Sequence, residues 1–260
     1  MSTGDRIERA GRQMWSERSQ RKNYVNLPEP LRPTDVDDAY AMQDVFHGLA
    51  IPVHGKIAGW KIATTTKVMQ QLMGIDSPCG GAIFESTVHH SPARLRHADW
   101  VSLKIECELA FRLNADLPDR GTPHTEESVF DAVESVMPAF ELVDDRHAVY
   151  KDTRALSLIA DNCWNGGIVL GAPVKPSGRA AIDAASGTLS ISGRPPLTGS
   201  ADGPLRALAW VANLVDRRGK TIRRGMVVIT GSVIPTTPIA PGESATFSVA
   251  GIGEVRIDTY

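Results

Sequence analysis

Cysteine is scarce in this chain. Its 260 residues include only Cys79, Cys107 and Cys163. They are odd in number and widely spaced, which argues against a disulfide framework and for a reducing compartment. No Cys-x-x-Cys, no His-Glu-x-x-His and no other paired spacing among the seven histidines supports zinc. No apolar run approaches the roughly 18–20 residues that span a bilayer. The start, Met1-Ser2-Thr3-Gly4-Asp5-Arg6, lacks an apolar signal core, so a cytoplasmic protein is expected. Net charge is also small, at -2, and bulk electrostatics supplies no pull toward nucleic acid or an anionic membrane. The basic stretch Arg18-Ser19-Gln20-Arg21-Lys22 is short and reads as a solvated helix face. A Gly-x-Ser-x-Gly elbow is missing. Gly219-Lys220-Thr221 ends like a phosphate loop, but Leu214 stands where that loop requires glycine.

What is present suits an ordinary folded domain, with 42% apolar and 22% charged residues. The length allows one large domain carrying a helical extension. Residues Asp5 to Lys22 place Ile7, Ala10, Met14 and Trp15 near helical spacing, and Pro28, Pro30 and Pro33 then break the chain. Thr34 is the expected N-cap of a second helix through Val36, Tyr40, Phe46 and Leu49, with Asp37 as its acidic partner. From about Lys56 the pattern turns to short β-rich segments. Strands are predicted at 59–63, 81–85, 101–113, 139–143, 167–170, 226–230, 245–249 and 254–258. Helices are predicted at 65–73, at 125–137 (stopped by Pro138) and at 204–218. This reads as α+β: a helical region over 1–55, then a β-rich catalytic region over 56–260 forming a curled sheet or sandwich.

The run Val101 to Leu113 carries the chemistry. Its odd positions are apolar, and its even positions include Lys104, Glu106, Glu108 and Arg112. In a strand, Glu106 and Glu108 project from one face. Two carboxylates one pleat apart, joined by Glu141 from Pro138-Ala139-Phe140-Glu141, suit a hard divalent cation such as Mg²⁺ or Mn²⁺. The same alternation also describes a strand with one wet face, with Lys104 and Arg112 as surface partners of the acids. Lys61, in Gly59-Trp60-Lys61-Ile62, is open to two readings: a desolvated proton carrier of lowered pKa, or an edge-strand lysine reaching for water.

Taken in order, several segments resemble one branch of the fumarylacetoacetate hydrolase superfamily, that of 2-oxopent-4-enoate hydratase and 4-oxalocrotonate decarboxylase. They are Gly59-Trp60-Lys61-Ile62, Thr66 to Gly74, Ile105 to Phe111, Pro138 to Asp144, Asp161-Asn162, Ala209 to Asn213, and Thr230-Gly231-Ser232 followed by Pro241-Gly242. The resemblance implies a mixed β-sandwich or β-roll core with N-terminal helices. It also implies Mg²⁺ or Mn²⁺ held by Glu106, Glu108 and Glu141, and Lys61 as the active-site lysine. The implied activity is metal-dependent hydration of a 2-hydroxy-2,4-dienoate in aromatic catabolism. Decarboxylation of an oxalocrotonate-like diacid, C–C hydrolysis of an acylpyruvate using His54 or His89, and a non-catalytic subunit are the alternatives. The implied partners are a small 2-oxo acid and further copies of the chain, or a sister enzyme of the pathway. Two departures concern the pocket. Pro78-Cys79-Gly80-Gly81 replaces a Pro-Asp-aromatic-Gly element, leaving Asp76 as the acid/base the resemblance offers. Cys163-Trp164-Asn165 replaces Ala-Ser-Ser. Asp161, Asn165, Ser232 and Cys79 are the substrate-binding residues that the resemblance implies.

Overall fold

The computed structural model describes residues 1–260. Two helices lead, α1 (Thr3–Ser19) and α2 (Val36–His54). Strand β1 (Ile57–Ala63), helix α3 (Lys67–Met73) and strand β2 (Cys79–Phe84) follow, then the short strands β3 (Val88–His90) and β4 (Ala93–Leu95). The long strands are β5 (Leu103–Leu113) and, past helix α4 (Glu126–Phe130), β6 (Val133–Asp144). Next come α5 (Ala155–Ala160), β7 (Asn165–Leu170), α6 (Arg179–Asp183), β8 (Ser186–Ile191), β9 (Leu197–Ser200) and α7 (Pro204–Arg217). The chain closes with β10 (Val227–Ile229), β11 (Ile234–Pro238), β12 (Ser244–Val249) and β13 (Gly253–Thr259).

One mixed sheet runs β2-β1-β10-β5-β6-β7-β3, with β11 also paired to β5, and a second runs β4-β13-β12-β8-β9. The odd, apolar side of β5 faces the second sheet. Phe140 of β6 and Phe247 of β12 meet across that interface with ring centroids 6.3 Å apart. The N-terminal helices add Met14, Met42 and Phe46 to the same continuous apolar cluster, and the segment between them adds Leu27. On its other side the large sheet curls, bringing edge strand β2 beside β7. Within this roll Ala110, Met137, Ala139, Ile168, Leu170 and Ile229 pack as a small apolar cluster of their own.

Two expectations need correction. The second helix is capped by Asp35 rather than Thr34: the Asp35 carboxylate accepts from Asp38 N at 2.8 Å, while Asp38 reaches back to the Thr34 amide. The helix predicted over 125–137 ends at Phe130, and Pro138 lies inside β6, opposite Leu109. A proline is tolerated there because its carbonyl, and hence its missing N–H, points away from β5. That carbonyl accepts from Gly171 just beyond the end of β7. Pairing with β5 along the whole of β6 overrides the helical tendency of the segment.

Asp161 ties three parts of the chain together. It is fully buried at the end of α5 and bonds Arg146 Nη2 at 2.5 Å, with Arg18 of α1 at 4.0 Å. Removing one member of such a pair strands a buried charge. Asp161→Ala is therefore expected to lose about 3–5 kcal/mol in urea unfolding. Arg12→Ala, which breaks only the exposed Arg12–Glu8 pair, should change stability by less than about 0.5 kcal/mol.

Candidate active site

Register brings the acids together. Glu106 of β5 lies directly opposite Glu141 of β6, and Glu108 lies one pleat along on the same face. One oxygen from each of Glu106, Glu108 and Glu141 falls within 4.8 Å of the others. This face is not the wet side of a common strand, since Glu108 and Glu141 are both 0% exposed and Glu106 is half-buried. Nor do the expected surface partners neutralise the acids. Lys104 bonds Asp145, and Arg112 reaches the Gly225 carbonyl.

Each acid is held by a specific donor. Gly231, at φ +100° in the turn after β10, donates its amide to Glu108 Oε2 at 2.7 Å; that backbone conformation favours glycine. Asn165 Nδ2 donates to Glu141 Oε1 at 2.9 Å, and Thr236 Oγ1 donates to Glu106. Lys61 is buried, with Nζ 3.0 Å from Glu141 Oε1. It reaches β6 from β1 although β10 and β5 lie between them in the sheet, which is a direct result of the curl.

Two carboxylate oxygens, Glu108 Oε1 and Glu141 Oε2, are buried without a hydrogen-bond partner. Burying such atoms is costly unless something neutralises them. Three carboxylates facing one ammonium leave an excess of negative charge, and all the donors are hard oxygens. That set fits Mg²⁺ or Mn²⁺. Burial, with Glu141 and Glu106 adding repulsion, pushes the Glu108 carboxyl well above its ordinary value. Burial likewise pushes Glu141 up to about 7, against the pull of Lys61. Neither reading of Lys61 holds: it is buried on an inner strand rather than reaching for water, and its pKa is not lowered. Burial acts downward on Lys61, but the carboxylates of Glu141, Glu106 and Glu108 outweigh it and hold the ammonium above its ordinary value.

Beside the acids opens a cavity of about 450 Å³. Lys61, Glu106 and Ser232 line it, and so does Trp164. The other residues expected at the site lie elsewhere. Asp76 is exposed beyond α3 and does not line the cavity. Cys79 is buried behind the wall, its sulfur 3.6 Å from that of Cys163. Asp161 is committed to Arg146, and Asn165 stands behind Glu141 rather than in the cavity. No histidine lines the cavity: His54 meets Ser86 and His89 lies on β3.

Sequence reasoning did not single out Thr236, Tyr150, Met69 or Leu158, all of which line the cavity. Nothing in their local pattern marks them, because they arrive from four separate segments. It also gave no sign of the backbone beneath Trp164. Asn162, Cys163 and Trp164 are all left-handed, at φ 55°, 51° and 57°, a run that L-residues adopt only under constraint. Asn162 supplies the constraint. Its side chain accepts from Ala82 N at 2.7 Å and donates to Ala82 O at 2.9 Å, pairing with β2 as a neighbouring strand would. Gly81 makes room, since a Cβ there would lie 2.8 Å from the Asn162 carbonyl and side-chain oxygens. His47, pushed down to about 3 by burial, is neutral and donates Nε2–H to Asn162 Oδ1 at 2.9 Å.

No family model matches the chain. A 2-keto-4-pentenoate hydratase of Paraburkholderia xenovorans is 33% identical over 238 residues, covering 88% of this chain and 87% of the relative. A 2-hydroxyhexa-2,4-dienoate hydratase of Comamonas testosteroni is 28% identical over 99% of this chain and 98% of its own. Among solved structures, 4-oxalocrotonate decarboxylase from Pseudomonas putida G7, complexed with magnesium and adipate, superposes with a TM-score of 0.90. At 21% identity, it covers 100% of this chain and 99% of that one.

The buried acids predict a pH-dependent response to metal. Glu141 titrates at about 7 in the folded chain against an ordinary 4.5, and Glu108 is shifted in the same direction. Between those values the folded state binds more protons than the unfolded state, so these groups lower stability as pH rises through that window. A cation sharing the carboxylates displaces those protons. In thermal unfolding, Mg²⁺ or Mn²⁺ should therefore raise the Tm more at pH 8 than at pH 5.5. The gain should approach about 2.7 kcal/mol at 100 times Kd. Glu108→Gln should remain folded and lose most of that response; an unchanged response refutes metal binding at these residues.

Proposed function

The chain belongs to the 2-keto-4-pentenoate hydratase/4-oxalocrotonate decarboxylase branch of the fumarylacetoacetate hydrolase superfamily, and we propose that it is a divalent-metal-dependent lyase hydrating a 2-hydroxy-2,4-dienoate. The observation that carries the reading is the cluster of Glu106, Glu108 and Glu141 with two unpartnered buried oxygens, set at the end of a cavity that also presents Lys61.

Glu106, Glu108 and Glu141 would hold Mg²⁺ or Mn²⁺. When bound, such an ion stabilises negative charge developing on a 2-oxo oxygen. The residues of the chain do the remaining work. The Gly231 amide and Asn165 fix the orientation of Glu108 and Glu141, so the acids need no rearrangement when substrate arrives. Lys61 is the one cationic side chain lining the cavity. Its ammonium can receive the substrate carboxylate, or supply the proton as the dienol becomes the conjugated ketone to which water adds at C4. Thr236 holds Glu106 from the cavity side, and Ser232 lies beside it, with its hydroxyl donated to the Ile234 carbonyl. The apolar remainder of the cavity limits bulk water near the reacting carbons. Assembly into homo-oligomers, or with a sister enzyme of the pathway, is part of the same proposal; sedimentation velocity reads it directly.

The test is turnover. With Mg²⁺ or Mn²⁺ and a 2-hydroxy-2,4-dienoate, dienol absorbance should fall without release of CO₂. Stoichiometric CO₂ from an oxalocrotonate would assign decarboxylation instead. Glu108→Gln should abolish the metal-dependent rate. Lys61→Met should lower kcat by about 10²–10⁴-fold. Asn165→Ala, which removes only the support of Glu141, should cost about 10–100-fold in activity or metal affinity. Full activity of Glu108→Gln after EDTA treatment would rule the reading out.

A further inference from the structure

Lys61 and Glu106 bring charge to the cavity, beside the hydroxyls of Ser232 and Thr236. The rest of the wall is uncharged: Thr64, Thr65 and Thr66 add hydroxyls, and the larger side chains are Met69, Met73, Val143, Tyr150, Leu158 and Trp164. These six side chains come from α3, from the end of β6, from the turn carrying Tyr150, from α5 and from the left-handed turn after it. They offer no charge. Of all the lining residues only Lys61 and Glu106 are ionic, and Lys61 is already 3.0 Å from Glu141.

The neighbouring cations do not line this space. Lys67, on α3 beside Val68 and Met69, bonds Gln70 and the Asp76 carbonyl. Lys104 bonds Asp145 and lies 4.9 Å from the centre of the Tyr150 ring, and it does not line the cavity. Lys151 and Arg154 line a separate groove, and Met73 is shared by both spaces and so forms the partition between them.

Trp164, the largest side chain of this wall, is held from two sides. Trp164 packs edge-to-face against Tyr24 at 5.1 Å and against Tyr150 at 5.3 Å. Its backbone is fixed by the Asn162 clamp on β2. A volume of about 450 Å³ falls in the range of about 300–1,000 Å³ that houses drug-sized ligands, well beyond the needs of a five-carbon acid.

Resting on the hydratase reading, we propose that this enzyme selects a 2-oxo acid whose far end is an uncharged alkyl or aryl group, with Met69, Tyr150, Leu158 and Trp164 as its specificity wall, and that it rejects a second carboxylate there. A distal carboxylate would surrender its hydration without finding a cation. An apolar tail would gain burial against a surface that is already ordered.

The test uses saturated 2-oxo acids, which bind but have no double bond to hydrate. Calorimetric titration with Mn²⁺ present compares 2-oxopentanoate, 2-oxo-5-phenylpentanoate and 2-oxohexanedioate. The phenyl acid should bind about tenfold or more tighter than 2-oxopentanoate, and the diacid about tenfold or more weaker. Met69→Arg changes a half-buried position on α3 away from the acidic cluster; it should raise affinity for the diacid and lower it for the phenyl acid. A diacid that binds as well as 2-oxopentanoate, a phenyl acid that binds no better, or an order unmoved by Met69→Arg overturns the proposal. So does failure of all three acids to bind. Turnover of dienoates is read separately: this binding order without hydration keeps the specificity wall and refutes the hydratase.

Discussion

Mutual repulsion of three carboxylates, two of them fully buried, is the constraint around which the large sheet is organised. Glu106 and Glu141 face each other because β5 and β6 pair in one register, and a slip of one residue would turn the acids of one strand into the core. Keeping them on the concave side requires a curl tight enough for Lys61 to arrive from β1. The curl also encloses a small apolar cluster around Ala110, Met137 and Ala139. The short β10 gives way after Ile229 to the turn that presents the Gly231 amide. Each of these features would be a weakness in an ordinary sheet. Together they accommodate charge that the fold alone could not neutralise.

Much of this was legible in the chain, and the reasons differ by element. The strand at Leu103–Leu113 and the helix at Pro204–Arg217 announce themselves by period, because each buries one face. The acids were readable as a pair, since alternation alone puts Glu106 and Glu108 on one side. Partnership with Glu141 depends on register, a property of two strands that neither carries by itself. Pro138 misled for a related reason. A proline stops a helix on local grounds, but its tolerance in β6 depends on which neighbour its carbonyl faces.

Residues named through resemblance were sorted by depth once the fold was known. Asp161, Asn165 and Cys79 are near the cavity in chain order, yet each turns behind its wall. Asp76 lies outside altogether. Tyr150 and Leu158, which do face the cavity, come from irregular or short segments where period offers no guide. Sequence order therefore identified the segments that build the site better than the side chains that face into it.

The left-handed turn through Asn162, Cys163 and Trp164 separates two kinds of inheritance. The acids sit on β5 and β6, while the bulky wall is displayed from a clamp that grips β2 through the Asn162 side chain and leads directly into Asn165, the donor to Glu141. Exchange of the side chain displayed at Trp164 reshapes the chamber while Cys163 and Asn165 on either side keep their bonds to Lys61 and Glu141. A lineage built this way can change its diet while conserving its reaction.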